Sequence, residues 1–197
     1  MYKKQMTAQK FLCLAAIIVS VIFFLYTLGI MTDLYDSLYD TMRNPNDPLQ
    51  TDVSGSILYY AMQAFNRTFL LLSIGQILLA ALLYLTNTHS RRRYYIGNFV
   101  STALFTAGAL YNSVYAHVNI EEAKRQFLTN VDFAALKEHA EMWGTLYTES
   151  TFWFDAHYFV FGLLLLVSAL LVANAVWKVA LMKDEAALVA EGRGNAG

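Results

Sequence analysis

Four stretches of this chain are mainly apolar. They lie at residues 11–31, 57–86, 95–117 and 152–178. A helix in a water-soluble core shows a polar stripe every 3.6 residues. The run from Ala15 to Met31 shows none, and each stretch has the roughly 20 residues that a bilayer-spanning helix needs. The pattern predicts an all-α fold, a four-helix bundle integral to a membrane. The first run is too long for the core of a cleaved signal peptide, and no small-residue cleavage site follows it.

Lysine and arginine set the expected orientation. Lys3, Lys4 and Lys10 precede the first stretch, Arg91–Arg93 join the second to the third, and Lys178 ends the fourth, with Lys183 and Arg193 after it. Short flanks rich in basic residues stay in the cytoplasm, so both termini are expected there. The other two connections, 32–56 and 118–150, carry eleven acidic residues between them and are expected to face outward. The expected organisation is one transmembrane domain over residues 1–183 and a flexible cytoplasmic tail over 184–197. A bacterial inner membrane suits the plain positive-inside pattern.

The outward connections carry helical patterns of their own. Leu-Tyr-Asp occurs twice between Leu34 and Asp40, which prolongs the first helix up to the Asn44–Pro48 turn signal. Spaced apolar residues from Ile120 to Leu146 predict one or two amphipathic helices. Together the two connections form an outer helical lobe. Ser54 is a candidate cap before the second span. The third span is rich in small residues such as Gly97, Ala103 and Gly108, which let helices approach closely in lipid, so it is expected at the centre. The first, with Phe23 and Phe24, is expected to face lipid.

Composition adds little beyond exclusions. Net charge is −1, which gives no electrostatic reason to expect nucleic acid, and a single cysteine, Cys13, excludes an internal disulfide. No nucleophile elbow, zinc-protease helix or phosphate-binding glycine loop occurs. The layout is similar to that of tetraspan families such as claudins, but the paired outer cysteines of those families are missing, so membership is not assigned.

Candidate chemistry is concentrated at one depth. The middle of the spans holds no charge; Gln76 and Thr106 are its main polar groups, and a hydrogen bond from Gln76 to Thr102 or Thr106 is expected. Counted along the helices at 1.5 Å per residue, Arg67, Asn112, His117, Asp155 and His157 fall near the outer boundary. An Arg67–Asp155 ion pair is the expected clamp, and the set is also a candidate ligand site. No cofactor is expected, with haem between His117 and His157 as the alternative. Asp33, Asp36 and Asp40 share a helix face and are weak calcium candidates.

These features favour a non-enzymatic subunit or scaffold of a membrane assembly, with the lipid bilayer, other membrane subunits or further copies of itself as partners. The alternatives are an oligomeric channel with an acidic outer mouth and a haem- or ligand-binding subunit using the outer histidines.

Overall fold

The computed structural model describes residues 2–41, 51–87 and 95–194. Among them the chain forms α1 (Tyr2–Leu38), α2 (Leu58–Asn87), α3 (Tyr95–Asn130), α4 (Phe133–Trp143) and α5 (Phe152–Gly194), with a 3-10 turn at Tyr39–Thr41 closing α1. No proline occurs in the sequence of any of these helices. No proline therefore interrupts the backbone hydrogen-bond ladder of the long elements.

Among the described residues three helices, α1, α2 and α5, are long and apolar enough to cross a membrane. The fourth expected span lies in α3. With 36 residues it has the length, but Asn98, Ser101, Asn112 and Ser113 dilute its hydropathy. Those four side chains are buried, while Val100, Leu104, Leu110, Val114 and Val118 on the same helix are exposed. This distribution is the reverse of that in a water-soluble helix.

Two compact units partition the chain. One comprises Met1–Ser20, Gln76–Leu110 and Leu163–Gly197 and holds both termini; we call it the terminal unit. The other comprises Val21–Gly75 and Tyr111–Gly162 and holds both long connections; we call it the loop unit.

Aromatic packing dominates the loop unit. The Phe69 ring is fully buried and lies within 5.2 Å of Phe23 and 4.8 Å of Phe65, centroid to centroid. Phe23 meets Phe161 of α5 edge-on at 5.0 Å, and the Tyr26 hydroxyl donates to the Trp153 carbonyl at 2.8 Å. The expectation that the first helix faces lipid is thus corrected. The apolar stretch of α1 is 39% buried against 28% for α2, because its large rings fill the space between α2 and α5.

The lobe departs from expectation in its first half. Residues 120–130 are no separate helix but a continuation of α3. α4 is the one independent lobe helix among the described residues. It starts where the Asp132 carboxylate accepts from the Ala134 and Ala135 amides at 3.1 Å each, and it ends at Gly144, whose left-handed φ of 67° suits glycine. Leu136 and Ala140 are its buried side. Ser54 does not cap α2, which begins at Leu58; its carbonyl accepts from the Asp132 amide at 3.1 Å instead. The expected flexible tail is also helical as far as Gly194, since Glu185–Glu191 is rich in alanine and other good helix formers.

The join between the two connections requires a glycine. Gly55 has φ +84°, and a Cβ there would strike the backbone of Asn130. Gly55→Ala is expected to cost more than about 1 kcal/mol. Hydrogen exchange at the Asp132 amide checks this: protection should fall while that of α2 persists.

Candidate functional site

Three of the expected site residues meet in the loop unit, together with partners that depth counting does not identify. His117, Glu121 and Lys124 stand at i, i+4 and i+7 on α3 and so share one helix face. α5 presents Asp155, His157 and Tyr158 to that face. Lys124 donates to Asp155 at 2.5 Å, the Tyr158 hydroxyl donates to Glu121 at 3.0 Å, and the two histidine rings meet with His117 Nδ1 3.2 Å from His157 Nε2.

The expected Arg67–Asp155 clamp is replaced by Lys124–Asp155. Lys124 reaches Asp155 of α5 because it lies on the same face of α3 as His117. Arg67 instead lines a groove of about 290 Å³ with Met31, Thr32, Tyr59, Gln63 and Asn66. Thr151 also donates to Asp155, at 2.7 Å, and the hydrogen-bonded carboxylate holds the Lys124 ammonium above the usual lysine range. The lysine side of that pairing is lost as pH rises through the raised value, and the pair is also lost in acid once the carboxylate is protonated. Partial exposure of both groups limits it to about 1 kcal/mol at most.

His157 is 2% exposed, and its tautomer follows from its neighbours. Nδ1 lies 2.5 Å from the Phe154 carbonyl oxygen, which can only accept, so Nδ1 carries the hydrogen. Nε2 of the neutral ring therefore presents a lone pair. A metal-binding histidine is oriented in this way, with its second nitrogen donating to a carbonyl.

One ligand atom each from His117, Glu121 and His157 lies within 4.8 Å of the others. Bonds of 2.0–2.1 Å at a tetrahedral angle place two ligand atoms about 3.3 Å apart. The 3.2 Å hydrogen-bond contact between the ring nitrogens is close to that edge, and Glu121, whose carboxylate accepts from Tyr158, would complete the set by moving nearer the two rings. The next residue, Glu122, is engaged elsewhere. Arg125 donates to it at 2.6 and 3.0 Å and Gln126 at 2.7 Å, which keeps its carboxyl below the usual range. Two imidazoles and one carboxylate suit zinc and its neighbours and leave a fourth position open. Haem ligation would place a macrocycle between the two rings, whereas here one ring nitrogen faces the other directly.

The remaining expected residues lie apart from this cluster. Asn112 is buried five residues before His117, a spacing that turns it off the His117 face. In the terminal unit Gln76 donates to the Phe105 carbonyl at 3.2 Å rather than to Thr102 or Thr106. Gly108 permits this approach, since a Cβ there would sit 2.8 Å from Gln76 Oε1. The backbones at Asp33, Asp36 and Asp40 belong to α1 and its closing turn, but their side chains lie outside the described residues.

No protein-family model, no curated protein and no solved structure matches the chain.

Proposed function

We propose that this chain is a non-catalytic subunit of a membrane assembly that binds a zinc-class divalent ion at its outer boundary. In this reading it crosses a bacterial inner membrane four times, with both termini in the cytoplasm. The single observation that carries the metal reading is the convergence of His117, Glu121 and His157 around an oriented nitrogen lone pair. The open fourth position takes water or a donor from a partner subunit.

The fourth crossing is supported by the inverted surface of α3, with amides and hydroxyls inside and valine and leucine outside. At 1.5 Å per residue α3 is roughly 54 Å long, well beyond the roughly 30 Å hydrocarbon core. Ser90→Cys and Ser150→Cys test the topology. An impermeant thiol reagent added outside sealed cells should label position 150 only. Labelling of both from one side would remove the four-span reading.

Zinc binding itself is measured by calorimetry on the full chain in lipid nanodiscs, after chelator treatment. One site per chain is expected, with calcium and magnesium failing to compete. Absence of saturable zinc binding would overturn the metal reading and leave the subunit reading to stand on architecture alone.

A further inference from the structure

A groove of about 390 Å³ lies in the terminal unit between the start of α1 and the end of α2. Thr7, Lys10, Phe11 and Leu14 form one wall, and Tyr84 and Asn87 form the other. Its volume falls within the roughly 300–1,000 Å³ of small-molecule sites. The first half of α1 shares this unit with the second half of α2, so the two helices run antiparallel. Thr7 and Asn87 therefore stand at one end of the groove and Leu14 at the other.

The groove changes from polar to apolar along its length. Lys3, Thr7, Lys10 and Leu14 follow one face of α1 at i, i+4, i+7 and i+11. The Thr7 hydroxyl donates to the Lys3 carbonyl at 2.9 Å, which leaves Lys10, Tyr84 and Asn87 as the donors lining the groove. Among the described residues none of these three side chains makes a hydrogen bond or an ion pair. No aspartate or glutamate occurs in residues 1–32 or 53–120, so neither wall carries a carboxylate, and Lys3 and Lys4 add positive charge at the polar end. At the other end Phe11 is 68% exposed and Leu14 48%. A basic pocket between spanning helices suits an anionic headgroup. A headgroup with its own ammonium would meet only cations here.

We propose that this groove binds one anionic phospholipid of the cytoplasmic leaflet. Its phosphate oxygens accept from Lys10, Tyr84 and Asn87, and an acyl chain lies against Phe11 and Leu14. The site rests on the bilayer-spanning reading of α1 and α2 and is independent of the metal cluster in the loop unit.

The full chain is inserted into nanodiscs of equal parts phosphatidylglycerol and phosphatidylcholine, released into neutral detergent and weighed by native mass spectrometry. One retained phosphatidylglycerol per chain is expected, favoured over phosphatidylcholine roughly 10-fold. Lys10→Gln should remove most of that preference and Lys10→Arg should keep it. Lys183→Gln, a basic residue outside the groove, should leave it unchanged. Equal retention of the two lipids overturns the proposal, as does a preference that survives Lys10→Gln. A preference that falls as far in Lys183→Gln also overturns it, because diffuse positive charge would explain the result. Should Lys10→Gln fail to fold, Tyr84→Phe decides: loss of one hydroxyl should lower the preference at least about 2-fold, and no change overturns the site. A chain that does not enter nanodiscs overturns the bilayer-spanning reading and this site with it, whereas a chain that enters and shows no preference overturns this site alone.

Discussion

Replacing His157 with glutamine is expected to weaken zinc binding at least about 100-fold, since loss of a direct ligand exceeds the 10–100-fold typical of its supporting contacts. Glutamine keeps the length and polarity of the side chain but lacks the aromatic nitrogen lone pair. The Phe154 carbonyl, which takes the Nδ1 hydrogen at 2.5 Å, can be met by the glutamine amide, so the fold should tolerate the change. Glu121→Gln should weaken binding similarly, because a neutral amide replaces an anionic ligand. Glu122→Gln, one residue along, should bind as wild type, since that carboxylate is held by Arg125 and Gln126. Calorimetry on the three variants checks the set. Equal losses for Glu121→Gln and Glu122→Gln would mean that diffuse negative charge, not a built site, attracts the ion.

Phe69→Ala is expected to cost about 2–3 kcal/mol, below the 3–5 typical of a buried phenylalanine in a soluble core. The discount has a physical origin. In a bilayer the unfolded reference leaves the ring in hydrocarbon, so the transfer part of the cost falls away and lost packing remains. That packing is extensive, with Phe23, Tyr26, Phe65 and Phe161 all in ring contact. Leu71 on the same helix is 69% exposed, and Leu71→Ala should change stability by less than about 0.5 kcal/mol. Unfolding in mixed micelles by increasing denaturing detergent gives both values. A Leu71 effect as large as that of Phe69 would place α2 in a different rotation.

Much of this arrangement is legible in residue patterns, and the gaps have a common cause. Apolar runs mark long helices because only helices satisfy every backbone group away from water. The same signal fails at Glu121 and Lys124. Charges there mark the start of an outward connection whose helices read as separate from the third span, although no proline or glycine interrupts α3 between His117 and Asn130. With α3 continued, the i, i+4, i+7 spacing from His117 would have brought both residues into the cluster. Depth counting supplies one coordinate along the membrane normal and nothing about rotation. That is why Asp155 and Arg67 match in depth while Asp155 pairs with Lys124. The burial of Gln5 and Gln9 is missed for a different reason. Both precede the apolar run and look like a solvated flank, and only the packing of α1 against α3 and α5 reveals it.

The proposed site would hold a metal ion between two imidazoles and one carboxylate at the His117–His157 contact. Cobalt(II), which takes zinc sites and reports its geometry by colour, measures this directly. Titrated into the metal-free protein in nanodiscs, it should give the intense visible d–d bands of a four-coordinate site at one equivalent. Those bands should be missing from His157→Gln and should vanish when zinc is added. A pale six-coordinate spectrum, or strong bands that survive loss of His157, would contradict the site described here.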